Sequence, residues 1–195
     1  MKKNLITSVL MTIVTTILLG LVYPLVVTAL AQVIFPKQAN GQLIQKNGTI
    51  VGSRIIGQGF SGASYFHSRP SATTVPYDAA NSAGSNLGPT NQKLIDRVKQ
   101  DVATLQAENP GQPVPIDMVT TSASGFDPEI SPAAAEFQLP RVAKERGIPV
   151  EQLQSLVQQH TDRRQFGFLG EPRVNVLELN LDLDARYPNN KQARK

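Results

Sequence analysis

The sequence predicts an α+β protein: one N-terminal transmembrane helix followed by a single extracytoplasmic domain with a small sheet and packed helices. Three observations carry this. No charged side chain lies between Asn4 and Pro36, two later segments repeat apolar residues at helical spacing, and two others are β-branched or alternate in polarity. The expected division is a cytoplasmic tail over residues 1–4, an anchor helix over 5–34 and a soluble α+β domain over 35–195.

The anchor comes first. A bilayer core about 30 Å thick needs roughly 20 apolar residues as a helix, and this run exceeds that. Lys2 and Lys3 followed by the run and Ala29-Leu30-Ala31 also imitate a secretory signal. The apolar region is far longer than the roughly 7–15 residues of a signal core, which favours an uncleaved anchor. Ser8, Thr12, Thr16 and Gly20 recur every fourth residue and form a small-residue stripe suited to packing on a partner helix. No ionisable group lies in the span, so the span itself is not expected to carry an ion or proton. Lysines directly before a first span favour a cytoplasmic N-terminus and a domain outside, although Lys37, Lys46 and Arg54 on the far flank make the positive-inside count nearly even.

Beyond the anchor, Gly48–Ile56 is short and β-branched and predicts a strand. Gly57–Pro89 has loop chemistry, and Phe60, Tyr65, Phe66 and Tyr77 predict that the loop is ordered and packed. Thr90–Glu108 predicts a helix with Leu94, Ile95, Val98, Val102 and Leu105 on one face, stopped by Asn109-Pro110-Gly111. Ile116–Thr121 predicts a second strand. Ser131 is an N-cap with proline in the first turn, opening a helix that Gly147 ends and that Pro140 should bend or split. Pro149 starts another helix that buries Leu153, Leu156 and Val157. Val174–Leu183 alternates apolar and polar residues and predicts a half-buried strand, with Asp182 and Asp184 sharing one face.

Charge and composition exclude more than they propose. Setting aside Lys2, Lys3, Lys191, Arg194 and Lys195 leaves 14 basic residues against 15 acidic, so no basic face points to nucleic acid. The absence of cysteine removes disulfides and thiol chemistry. Gly57-Gln58-Gly59-Phe60-Ser61-Gly62 matches a dinucleotide-binding fingerprint, with Asp78 near the distance of a ribose-binding acid. The chemistry requires a helix N-terminus after the glycines, and Tyr65-Phe66-His67-Ser68-Arg69-Pro70 offers none. A phosphate-cradling loop is absent. His67 and His160 lack partners at metal spacing; His67 reads as a packed, hydrogen-bonding residue and His160 as a helix-end residue. Serines abound, which leaves a Ser–His–Asp arrangement open, but no nucleophile elbow occurs. Asn47-Gly48-Thr49 is a glycosylation sequon by pattern only.

Several stretches occur together in a specific order: Ala39-Asn40-Gly41, Val51-Gly52-Ser53, Ile56-Gly57-Gln58 and Tyr65-Phe66-His67-Ser68-Arg69-Pro70-Ser71-Ala72. Ser82-Ala83-Gly84-Ser85-Asn86-Leu87-Gly88-Pro89-Thr90-Asn91 and Ser122-Ala123-Ser124-Gly125-Phe126-Asp127-Pro128 follow. Gln138-Leu139-Pro140-Arg141-Val142-Ala143 and Gly170-Glu171-Pro172-Arg173-Val174-Asn175-Val176-Leu177 complete the series. In this order they resemble the C subunit of the bacterial Kdp potassium-transporting P-type ATPase, from the anchor with Tyr23-Pro24 to the final predicted strand. One departure is Ala83, where the family usually carries a second glycine.

The resemblance implies a single-pass subunit of the bacterial inner membrane, required for assembly. Its partners would be an ATP-hydrolysing subunit, a channel-like potassium-selecting subunit and a small membrane subunit. The chain lacks the Asp-Lys-Thr-Gly and Thr-Val-Gly-Tyr-Gly motifs of the two larger partners, which fits a non-catalytic accessory role. No tightly bound cofactor is implied, and ATP enters only through the complex. The alternative that the resemblance implies is a catalytic chaperone that binds ATP and raises the ATP affinity of the hydrolysing subunit. In that reading Gln138 is the candidate nucleotide residue, with Ser82, Gly84, Ser85 and Asn86 second. A domain outside the cell conflicts with a direct nucleotide role, because ATP is cytoplasmic. An assembly role therefore has the domain capping the outer mouth of the potassium-selecting subunit. A hydrolase dependent on His67 or a serine is the remaining expectation from a different class.

Overall fold

The computed structural model describes residues 1–188, so the basic tail residues Lys191, Arg194 and Lys195 lie outside the described residues. The chain divides into two compact units, Met1–Val51 and Gly52–Lys195.

In the first unit, α1 (Lys2–Ile17), a π-helical turn (Leu18–Val22) and α2 (Tyr23–Ile34) form one uninterrupted helix of 33 residues, long and apolar enough to cross a membrane. Three of its hydroxyls are satisfied within the helix: Ser8 Oγ donates to the Leu5 carbonyl and Thr12 Oγ1 to the Ser8 carbonyl, both at 2.9 Å, and Thr15 Oγ1 to the Met11 carbonyl at 2.8 Å. Backbone-directed hydroxyls of this kind expose no unpaired polar group to lipid. The π turn has a local cause. Pro24 lacks the N–H that would bond the Gly20 carbonyl, and its ring crowds the preceding turn, so the helix widens there.

After a short α3 (Pro36–Ala39), β1 (Leu43–Lys46) and β2 (Thr49–Ser53) form a two-stranded hairpin. Asn47 and Gly48 both have positive φ, 53° and 79°, which is the mirror-image turn that Asn-Gly favours between antiparallel strands. The predicted strand over Gly48–Ile56 is thus shortened to β2, and its partner β1 went unpredicted.

The second unit holds α4 (Gln92–Glu108), β3 (Glu129–Ile130), α5 (Pro132–Arg146), α6 (Val150–Gln159), β4 (Thr161–Asp162), β5 (Arg173–Asn175) and α7 (Val176–Arg186). The strands form a small antiparallel sheet in the order β3-β5-β4, with Ile130 opposite Val174 and Thr161 opposite Val174 on its other edge. Against it α5, α6 and α7 bury one core that includes Phe66, Ile130, Val142, Leu153, Leu156, Val174, Leu179 and Leu183.

Start and stop signals explain the helices. Ser131 Oγ accepts from the Ala134 N–H at 3.0 Å, and Asp117 in turn accepts from the Ser131 N–H at 2.7 Å. Gly147, at φ 66°, ends α5 in the left-handed conformation. Pro140 does not split α5: it sits on the exposed face, and Asn109 Nδ2 bonds the nearby Phe137 carbonyl at 3.0 Å.

Two predicted strands are corrected. Ile116–Thr121 contains a 3-10 turn, Ile116–Met118, opened by Pro115. Val174–Leu183 is strand only through Asn175 and then becomes α7. Its alternating leucines fit two periods, and Val176, Leu179, Asn180 and Leu183 also stand at i, i+3, i+4 and i+7. Asn175 decides between them, since its Oδ1 accepts from the Glu178 N–H at 3.1 Å and caps the helix. Asp182 and Asp184 therefore share no strand face. Asp182 meets His160 at 2.8 Å and Asp184 meets Arg146 at 2.8 Å.

Candidate functional site

The segment from Ala63 to Arg69 has no regular secondary structure of its own, yet Phe66 in its middle is fully buried. Buried backbone must find partners, and here side chains supply them. Asn180 on α7 accepts from the Phe66 N–H and donates to the Phe66 carbonyl, each at 2.9 Å. Gln138 on α5 does the same for the next residue: its Oε1 accepts from the His67 N–H at 2.7 Å and its Nε2 donates to the His67 carbonyl at 3.1 Å. Two amides from two helices thus bond consecutive residues, each taking the N–H and carbonyl of one residue as a flanking strand would on its own side.

Arginines extend the clasp. Arg141 Nη1 donates to the carbonyls of Ala63 at 2.6 Å and Tyr65 at 3.0 Å, and its Nη2 donates to Gln138 Oε1 at 2.7 Å. Arg146, with only 1% of its side chain exposed, donates to the Ser64 and Tyr187 carbonyls at 2.8 Å, pairs with Asp184 and lies 4.8 Å from the centre of the Tyr65 ring. Tyr65 completes the set by donating to Asp184 Oδ2 at 3.1 Å. At the far end Arg69 pairs with Asp127 at 2.9 Å, and its carbonyl accepts from the Tyr77 hydroxyl.

Burial sets the electrostatics. It lowers the His67 imidazole below its ordinary range, and the Arg141 charge lowers it further. His67 Nε2 lies 3.0 Å from the Gly62 carbonyl, which only accepts, so this nitrogen carries the proton. Burial also pushes the Tyr77 phenol up to about 12 and lowers Arg141. For Asp182 burial acts upward, but hydrogen bonds from His160 and Arg186 prevail and hold the carboxyl below its usual range.

The sequence candidates fall into three separate environments. Gln138 is buried, and both faces of its amide are engaged, Nε2 additionally donating to the Ala134 carbonyl at 3.1 Å. The Ser82–Asn86 loop has other neighbours: Ser82 Oγ and the Ala83 N–H both donate to the Ser124 carbonyl at 3.1 Å. A side chain on Gly84 would come within 3.1 Å of the Ala123 carbonyl, while Asn86 adopts φ 52°. This packing accounts for Gly84 without a ligand. Ser8, Thr12, Thr16 and Gly20 are all exposed on the apolar helix, Gly20 inside the π turn.

The glycine fingerprint has a packing role. The Gly57 N–H donates to the Phe126 carbonyl at 2.8 Å, and an added Cβ would lie 2.5 Å from the Asp127 carbonyl oxygen. No helix follows the glycines. Among the described residues, no group of three metal-ligating side chains is assembled. Sequence reasoning missed Asn180, Arg141 and Arg146. An asparagine at a buried position of a leucine-rich helix face was the available signal for the first.

Residues 5–185 match a family model described as K+-transporting ATPase, c chain. Among relatives, the potassium-transporting ATPase KdpC subunit of Koribacter versatilis is 69% identical over 188 residues, covering 96% of this chain and 97% of that one. The subunit of the same name from Rhodopseudomonas palustris strain BisB18 is 58% identical, covering 95% and 99% of the two chains. That from Methylobacterium nodulans is 54% identical over 94% and 98%. With residues 5–185 matched and relatives aligned over nearly all of its length, this chain belongs to the KdpC family of potassium-transporting ATPase subunits.

Proposed function

We propose that the chain is the accessory, non-catalytic subunit of a high-affinity ATP-driven potassium uptake pump of the bacterial inner membrane. It serves assembly and stability of the complex with the ATP-hydrolysing and potassium-selecting subunits, and its domain lies on the extracytoplasmic side. One observation carries the reading: every large apolar side chain of the N-terminal helix is exposed within the chain, so the helix presents its whole apolar surface to lipid and to neighbouring helices. The Ser8, Thr12, Thr16 and Gly20 stripe is the closest-approach face for such a neighbour. The nucleotide reading has no comparable support, because Gln138 spends its amide on the His67 backbone.

Gly20→Leu tests the assembly role. An added Cβ there meets only Thr16 Cγ2, at 3.9 Å, so the chain itself tolerates the bulk. In the co-expressed pump, less of the variant should co-purify and potassium-stimulated ATP hydrolysis should fall, with domain melting unchanged. Full co-purification with unaltered hydrolysis would count against that face. The side of the domain is read by Ser155→Cys, an exposed position on α6 of a chain with no cysteine of its own. A membrane-impermeant thiol reagent should label it in intact cells; protection until the membrane is opened would reverse the orientation.

A further inference from the structure

Eight consecutive residues, 163–170, are exposed, and three of them are large and apolar: Phe166 at 87%, Phe168 at 71% and Leu169 at 47%. Exposed loops are ordinarily polar, and a cluster of bare aromatic side chains marks a contact surface. This loop is a formed hairpin. Gln165 and Leu169 exchange two backbone hydrogen bonds of 2.9 Å, and the Phe168 N–H closes the Phe166-Gly167 turn onto the Gln165 carbonyl at 3.2 Å.

Its tip is strained in a telling way. Phe166 has φ 52° and Gly167 φ 82°, a turn in which asparagine or glycine is the favoured first residue. A phenylalanine there takes a left-handed backbone that its bulk disfavours, and it gains no burial within the chain in return. Such a side chain is held outward by a hydrogen-bonded turn.

We infer that this tip is an anchor that seats Phe166 and Phe168 in an apolar pocket of another subunit of the pump, with a carboxylate at the pocket rim meeting Arg163. The inference rests on the assembly role proposed above. Pre-organised aromatic anchors flanked by charge are the chemistry of interface hot spots. Arg163 is exposed and, among the described residues, forms no ion pair, whereas Arg164 is already held by Glu171 at 2.6 Å. A bilayer surface fits less well. Interfacial belts use tryptophan and tyrosine, and the tip has neither.

The test uses the whole pump in its membranes, with photoreactive benzoylphenylalanine in place of Phe166. Irradiation should join the chain to another subunit. Adducts with lipid alone place the tip in the bilayer and overturn the inference, as does the absence of any adduct beyond the chain itself. A second variant, Phe166→Gly, relieves the backbone while removing the ring. The free chain should melt no lower than the unaltered one, yet its retention by the other subunits on dilution should fall about ten-fold. Equal retention of both overturns the tip as an anchor. If the unaltered chain is itself not retained, the assembly role fails, an outcome separate from a difference confined to Phe166→Gly.

Discussion

In the unit Gly52–Lys195, Phe66, Leu153, Leu156, Leu179 and Leu183 are fully buried, and backbone without secondary structure is bonded by Gln138, Arg141, Arg146 and Asn180. In the unit Met1–Val51, the large apolar side chains from Leu5 to Phe35 are all exposed, and Ser8, Thr12 and Thr15 bond to carbonyls of their own helix. The first arrangement carries its stability inside the chain. The second depends on a surrounding that the chain does not supply. Substitutions should therefore act on folding in one unit and on association in the other.

The largest folding effect belongs to Asn180→Ala. It leaves the buried N–H and carbonyl of Phe66 without partners, a loss of about 4 kcal/mol at roughly 1–3 kcal/mol per orphaned group. Denaturant unfolding of the detergent-solubilised chain measures it, and a change below about 1 kcal/mol would remove the clasp from the stability argument. Gln138→Ala should follow at about 2 kcal/mol, because His67 is only part-buried and water can replace some of what is lost. Should that variant instead keep its stability and lower the pump's affinity for ATP, the nucleotide role would regain its standing.

Acid is a finer probe of the same region. Burial and Arg141 lower the folded-state value of His67 from its ordinary 6.5, so below that pH the unfolded chain binds the proton more readily. The resulting stability is fully present above pH 6.5 and is lost as pH falls from there through the folded-state value. His67→Gln should flatten the dependence in that window; an unchanged slope would assign it elsewhere. The smallest effect is expected on the helix. Leu10→Ala removes no contact inside the chain and should leave domain unfolding within about 0.5 kcal/mol of the unaltered protein.

Local chemistry was legible where a few neighbouring residues decide the outcome. Ser131 and Gly147 mark the ends of α5, and the charge-free run marks the long helix. The α7 helix was misread because leucines at every second position satisfy two periods at once, while the deciding cap, Asn175 to Glu178, is a single hydrogen bond. The clasp was the least legible feature. Its members are separated by 71 and 114 positions, so no local pattern pairs Gln138 with His67 or Asn180 with Phe66. Tyr65, Phe66 and His67 were legible as packed residues, but only resemblance set the Tyr65–Ala72 stretch beside Gln138–Ala143, and the structure supplies the physical reason that they belong together.

The helix is also longer than its task. At about 1.5 Å per residue, 33 residues measure about 50 Å, against a hydrocarbon layer of about 30 Å. Leaning it to fit would require a tilt beyond the roughly 40° that such helices reach. About one apolar turn therefore lies past the hydrocarbon, in the headgroup layer that brings the bilayer to about 40–45 Å. That overhang acts as a ruler: it sets how far the apolar surface reaches past the hydrocarbon edge, and with it the height at which a neighbouring helix can meet this one.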